Sequence, residues 1–198
     1  MNTKYSAGRL VAVATGLVLV LGYGVSAQAS TNGPQTAKGK TREAATHRTS
    51  AGVSACSQKD LGVSAVKEPA DSTDARHLLL TVQNAGDKKC NVYRYPLVRL
   101  GDGRTTAPVI EDSAPTPCEP VTLAPGQEAY AALLVNGPMD EYEARSITLT
   151  LQGRKPGSTA GEPIDVPMPV DTLYANDGQR VTYWTTAPGF ALDFIMSR

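Results

Sequence analysis

Histidine is scarce in this sequence: 198 residues contain two, His47 and His77. A serine or cysteine nucleophile most often needs a histidine base beside it. By strand alternation His77 falls on a solvent face with Leu79 and Thr81, and no Gly-x-Ser-x-Gly elbow is present. The common hydrolase triads are therefore excluded by residue supply. Two histidines and scattered cysteines give no zinc-ligand spacing, and no Asp-x-Asp-x-Asp-Gly run offers a calcium loop. Neither a metal nor another cofactor is expected. Paired carboxylates are the one catalytic device the composition leaves. Asp140, Glu141 and Glu143 crowd one stretch, and Glu141 and Glu143 would stand about 7 Å apart in extended chain. Glycosidase carboxylates face each other across a groove, so an acidic loop is the expected reading and no catalytic residue is assigned.

Long apolar runs are also missing, with one exception. Leu10 to Val25 is uncharged and apolar, follows Lys4 and Arg9, and precedes the small-x-small triplet Ala27-Gln28-Ala29. This is the layout of a signal peptide, expected to span 1–29 and to be cut after Ala29. As a helix the run reaches about 24 Å at ~1.5 Å per residue, short of the ~30 Å hydrocarbon core. No membrane span is expected after cleavage. The cleavage site carries no cysteine, so no lipid-modified N-terminus is expected there.

Net charge is absent too, but the zero hides a split. Residues 30–55 hold four Lys/Arg against one Asp/Glu, a balance of +3, and residues 56–198 hold thirteen against eighteen, a balance of −5. A mildly acidic domain lacks the concentrated positive surface that nucleic acid requires. Residues 30–55 contain Val53 as their one large apolar side chain. Such a segment buries too little to offset its ordering entropy and reads as a disordered basic linker.

From Cys56 onward the texture changes to short alternating runs separated by Gly, Pro, Asn and Asp clusters. Ile147, Leu149 and Leu151 alternate with Thr148, Thr150 and Gln152, and Leu78, Leu80 and Val82 alternate with Leu79, Thr81 and Gln83. Val181 and Tyr183 alternate with Thr182 and Trp184, while Phe190, Leu192 and Phe194 alternate with Ala191, Asp193 and Ile195. Further strands are expected at 61–66, 91–100, 121–123, 129–135 and 164–168. Gly101-Asp102-Gly103 and Asn176-Asp177-Gly178 have the composition of tight hairpin turns. Pro96 interrupts its strand and marks an edge or a bulge. Eight to ten half-buried strands predict one all-β domain over 56–198, an antiparallel sandwich or barrel.

Three cysteines, Cys56, Cys90 and Cys118, permit one intrachain bridge and leave one thiol over. All three pairings are open. Cys56–Cys90 ranks first, because it would pin the first strand by closing a loop of about 34 residues, worth about 3–4 kcal/mol. Cys118 then stands as a free thiol or an intermolecular bridge in a proline-rich connection. Tyr93 and Tyr95 flank Arg94 on one strand. Together with Trp184 they form the candidate binding surface if exposed, and ordinary sandwich core if buried.

The order Cys56-Ser-Gln-Lys-Asp-Leu61, Leu80-Thr-Val-Gln-Asn84-Ala-Gly, Cys90-Asn-Val-Tyr-Arg-Tyr-Pro96 and Leu123-Ala-Pro-Gly126 resembles a family of secreted actinobacterial proteins catalogued as domain of unknown function 4232. The resemblance implies an immunoglobulin-like antiparallel β-sandwich, a Cys56–Cys90 disulfide and an extracellular location, and it implies no activity. Two departures stand out. Arg94 occupies a position where glycine is expected before Tyr-Pro, which implies a less kinked backbone, and Cys118 lacks a later partner. The antibody order of cysteine, tryptophan, cysteine is absent, since Trp184 follows every cysteine. The functional expectation is a non-catalytic extracellular module that binds a cell-wall polymer or a protein. The alternatives are a secreted hydrolase, an inhibitor presenting Asp112–Pro120 as a rigid loop, or a structural envelope protein.

Overall fold

A computed structural model describes residues 52–198. The expected signal peptide, and the expected linker up to residue 51, lie outside the described residues. Ten strands and one short helix follow in order. Strands β1 (Leu61–Lys67), β2 (His77–Asn84), β5 (Glu128–Leu134) and β10 (Arg180–Val181) form one sheet in the order β1-β2-β5-β10. Strands β4 (Val121–Leu123), β3 (Cys90–Leu100), β7 (Ile147–Gln152) and β8 (Ile164–Val166) form a second, in the order β4-β3-β7-β8. A separate ribbon joins β6 (Tyr142–Ala144) to β9 (Leu173–Ala175). All these ladders are antiparallel. Pairing β2 with β5 in one sheet and β3 with β7 in the other is the strand crossing of an immunoglobulin-like sandwich.

The alternation read from sequence explains the core. Leu78, Leu80 and Val82 on β2 stand opposite Leu133, Ala131 and Ala129 on β5. All six are buried against Val92, Val98, Leu100, Leu123, Ile147 and Leu149 of the facing sheet. Deleting a side chain such as Leu80 or Leu149 would leave a cavity costing about 2–5 kcal/mol. Cys56 and Cys90 are bonded, as ranked. Ordered pairing starts slightly earlier: the amides of Asn91 and Cys56 donate to Ser54 O and Asn91 O, and Ala55 bridges Asn91 in parallel.

Three expectations are corrected. Residues 190–195 are not a strand: α1 (Pro188–Asp193) is a helix with proline in its first turn, where a missing N–H costs nothing. Ala191 and Ile195, one helical turn apart, pack with Ile110, Ala132 and Leu134 on the outer face of the first sheet. The His77 face is therefore partly covered: Leu79 is buried, and His77 is half-buried with its Nε2 closed off from water and unpartnered. Finally, the Asn176-Asp177-Gly178 turn joins no hairpin. It carries the chain from the ribbon to β10, which pairs with β5.

Pro96 marks a bulge, since β3 lies inside its sheet and its register against β7 shifts between Tyr93 and Leu97. At that bulge Arg94 adopts φ 54°, a left-handed conformation that costs a non-glycine residue about 1–2 kcal/mol. The backbone is thus kinked even with arginine in place of the expected glycine. The arginine side chain offsets the strain. Its guanidinium donates to Gln152 Oε1 (2.9 Å), Gly153 O (2.7 Å) and Lys155 O (2.9 Å), while Gln152 Nε2 donates to Tyr95 O.

Candidate functional site

The bulge disperses the expected aromatic patch. Tyr93 is 8% exposed and Trp184 2%, so neither offers a surface to a partner. Trp184 is drawn into the core by its own backbone: its amide donates to Arg94 O in one sheet, and Thr185 exchanges hydrogen bonds with Tyr130 in the other. Tyr95 is half-buried and meets the edge of Tyr183 at 5.1 Å. The Tyr183 hydroxyl donates to Glu111 Oε2 (3.2 Å), and burial plus that carboxylate push the phenol up to about 12. Cys118 is exposed and unbonded, with its flanks from Thr116 to Pro120 also exposed.

A different arrangement takes shape at the end of the sandwich away from the disulfide. Register places Leu100, Ile147, His77 and Leu134 at this end, opposite Cys90, Asn84 and Glu128. Three segments converge there: the turn after β3 (Asp102, Gly103, Arg104, Thr105), the strand β6 (Tyr142, Glu143) and the turn after β9 (Asp177, Gln179). They line a cleft of about 410 Å³, within the range of small-ligand sites. Smaller hollows of about 230 and 360 Å³ lie beside the disulfide and along Thr122–Tyr130.

Each wall of the large cleft has a local cause. Gly101, at φ 52°, starts the turn that presents Asp102 and Arg104. Its neighbour Gly103 leaves room for Tyr142, whose hydroxyl lies 3.2 Å from where a Cβ at Gly103 would stand. Glu143 sits on β6, not in an acidic loop as expected, and pairs across the ribbon with Tyr174. Asn176 fixes the third wall. Its Oδ1 accepts from the amides of Gly137 and Gly178 (2.8 Å each), and its Nδ2 donates to Gly137 O (2.8 Å) and Met139 O (3.0 Å). Glycine is required at 178, because a Cβ there would lie 2.6 Å from Gly137 Cα. Asn136 continues the network by donating to Glu141 Oε1 (2.8 Å) and Tyr174 O (2.7 Å).

The wall is rich in acceptors. Asp102, Glu143 and Asp177 are exposed carboxylates, and Arg104 is the one cation among the lining residues. Arg145 pairs with Glu143 at 3.0 Å, but both side chains are well exposed, so the pair contributes little and leaves Glu143 accessible. Burial and the nearby Asp177 carboxylate raise the Tyr142 phenol above 10.0. Gln179 is 3% exposed and its Oε1 has no hydrogen-bond partner. No three His, Cys, Asp or Glu side chains among the described residues lie close enough to share a metal ion. The turn motifs pointed at this end of the domain, but nothing in the sequence singled out Tyr142 or Gln179.

Among the described residues no helix is long and apolar enough to cross a membrane. No curated protein and no solved structure matches the chain. A family model does match, over residues 56–185. The chain belongs to the family described as Domain of unknown function (DUF4232).

Proposed function

We propose that this domain is a non-catalytic extracellular binding module whose ligand seats in the cleft between Asp102–Thr105, β6 and Asp177–Gln179. The observation that carries the reading is the cleft itself. It is built from turns and a short ribbon at one end of a rigid sandwich, and connections held by a rigid scaffold are where binding residues concentrate. Its walls are held by buried asparagine bonds rather than by chance side-chain positions. The exposed carboxylates and the tyrosine ring provide polar and apolar contacts for a cell-surface polymer or a protein segment.

The compact unit His47–Arg198 and its Thr105→Trp variant test this directly. Thr105 is an exposed lining residue, so tryptophan there obstructs the cleft without disturbing the core. Native cell-wall and culture-supernatant fractions are passed over both proteins. Retention of a component by the parent protein and its loss with the variant is the expected result. Equal retention by both removes the cleft from the account.

A further inference from the structure

The geometry points to a peptide-borne primary ammonium group, a lysine-type side chain, as the occupant of the Asp102–Tyr142–Asp177–Gln179 cleft. This rests on the binding reading above and names its ligand class.

Three observations converge. First, the lining offers acceptors in excess. Three carboxylates and the Tyr142 and Thr105 hydroxyls line the cleft against two cations, Arg104 in the lining and Arg145 paired with Glu143. Second, Gln179 Oε1 is removed from water and has no donor within the protein. A buried acceptor without a partner is destabilising, and a ligand carrying several N–H donors relieves that cost. An ammonium has three donors and no acceptor, which matches a wall of this kind. Third, the acidic groups are too dispersed for a metal ion, and the volume of about 410 Å³ suits an alkyl chain of several atoms ending in a charge.

The ribbon identifies what carries the ammonium. Tyr174 is 53% exposed and stands directly across from Glu143. Met139, 51% exposed, lies in the loop that Asn176 anchors. An apolar shelf therefore borders the charged cleft. A free diamine has nothing to place on it, whereas a peptide backbone flanking a lysine does. Aromatic and methionine side chains are the usual anchors for such segments.

The test is an NMR titration of the compact unit, following the amides of Asp102–Thr105 and Asp177–Gln179. The probes are cadaverine, the tripeptide acetyl-Ala-Lys-Ala-amide, its ε-acetylated form and uncharged 1,5-pentanediol. Expected are shifts with both amines, tighter binding of the tripeptide, weakening by salt, and no shift with the ε-acetylated peptide or the diol. Asp177→Asn and Glu143→Gln should each weaken the tripeptide about threefold and together about tenfold. Tyr174→Ala should bring the tripeptide back to the affinity of cadaverine. Gln179→Met should weaken binding while leaving Tm unchanged or higher, since the carboxamide oxygen has no partner to lose; a structural glutamine would lower Tm instead.

Undiminished binding of the ε-acetylated peptide overturns the ammonium assignment. Cadaverine binding tighter than the tripeptide overturns the peptide source. If no amine binds but retention of cell-surface material still depends on Thr105, the ligand class falls and the binding module stands. If that retention is lost as well, both fall.

Discussion

The two ends of the sandwich are fastened by different means. At one end Cys56–Cys90 ties the entering chain to β3 across 34 residues, and buried Asn84 donates to Lys88 O (2.8 Å) and Leu123 O (2.9 Å). At the other end, described residues show no covalent tie. Asn176 and Asn136 play there the part that Asn84 plays at the first end, and the ribbon they hold is built from strands of three residues. Both ends solve the same problem, because loop carbonyls and amides that leave the ladder must find partners once buried. The difference is that the disulfide lowers the entropy of the unfolded chain, whereas hydrogen bonds must be remade at every opening. Opening free energy is expected to be lower at the cleft end, which suits an end that receives a ligand.

The largest effect should come from the covalent tie. Replacing both Cys56 and Cys90 with alanine should cost about 3–4 kcal/mol by the chain-entropy model, read as a lowered denaturant midpoint. Hydrogen exchange should then show the Cys90 end opening as readily as the cleft end. Should the cleft end lose protection first and the Cys90 end hardly change, the assignment of distinct fastenings is wrong.

The converse variant acts at the cleft end. Asn176→Ala strands the amides of Gly137 and Gly178 and removes the donor to Gly137 O and Met139 O, and Gly178→Ala forces a Cβ against Gly137. Each should cost about 1–3 kcal/mol and abolish occupancy of the cleft while leaving exchange near Cys90 slow. A uniform loss of protection over the whole domain would show that the ends do not open separately.

Arg94 adds a second fastening at the disulfide end, since its guanidinium holds the 152–155 segment that follows β7. Arg94→Gly loses those bonds but relieves the left-handed backbone, whereas Arg94→Ala loses the bonds and keeps the strain. The alanine variant should therefore be less stable than the glycine variant by about 1 kcal/mol. Equal stabilities would mean the φ of 54° carries no cost in solution.

How far each end was legible in sequence follows the same division. β2, β5 and β7 are long enough for a period of two to declare the core face, whereas Leu79, Ala132 and Leu134 are buried on the other face, which α1 covers and alternation does not reveal. The ribbon was missed because three residues give no period, and a lone Tyr142 or Leu173 reads as loop. The Phe190–Ile195 run was misread for a related reason: six apolar-rich residues fit a strand or a helix equally. Pro188 at the first turn and the four-residue spacing of Ala191 and Ile195 carry the helical answer. Trp184 and Tyr93 were ambiguous because burial depended on Arg94, a residue whose backbone conformation its side-chain type disfavours. The bridge, by contrast, followed from counting cysteines and from the family likeness. The cleft needed long-range convergence of three turns, which no local pattern encodes.

The smallest effect concerns acid, and it distinguishes the two ends by a titratable group. His77 opens β2 at the cleft end. Burial lowers its pKa from 6.5, Arg76 lowers it further, and Asp74 and the carbonyls of Arg198 and Ile195 act against that shift without reversing it. The neutral ring is thus favoured in the fold. A histidine depressed in the folded state contributes stability that is present above its unfolded pKa, and that stability is lost as pH falls through the folded value. Arg76 also donates to Asn136 O (3.3 Å), so charging His77 places a second cation beside the bond that leads into the asparagine network. Between about pH 8 and pH 5 the midpoint of the parent protein should decline relative to that of His77→Gln, and exchange should quicken around Asn136 before it does around Asn91. A parent curve that runs parallel to the variant's throughout that interval would show that the ring titrates freely and that acid does not set the two ends apart.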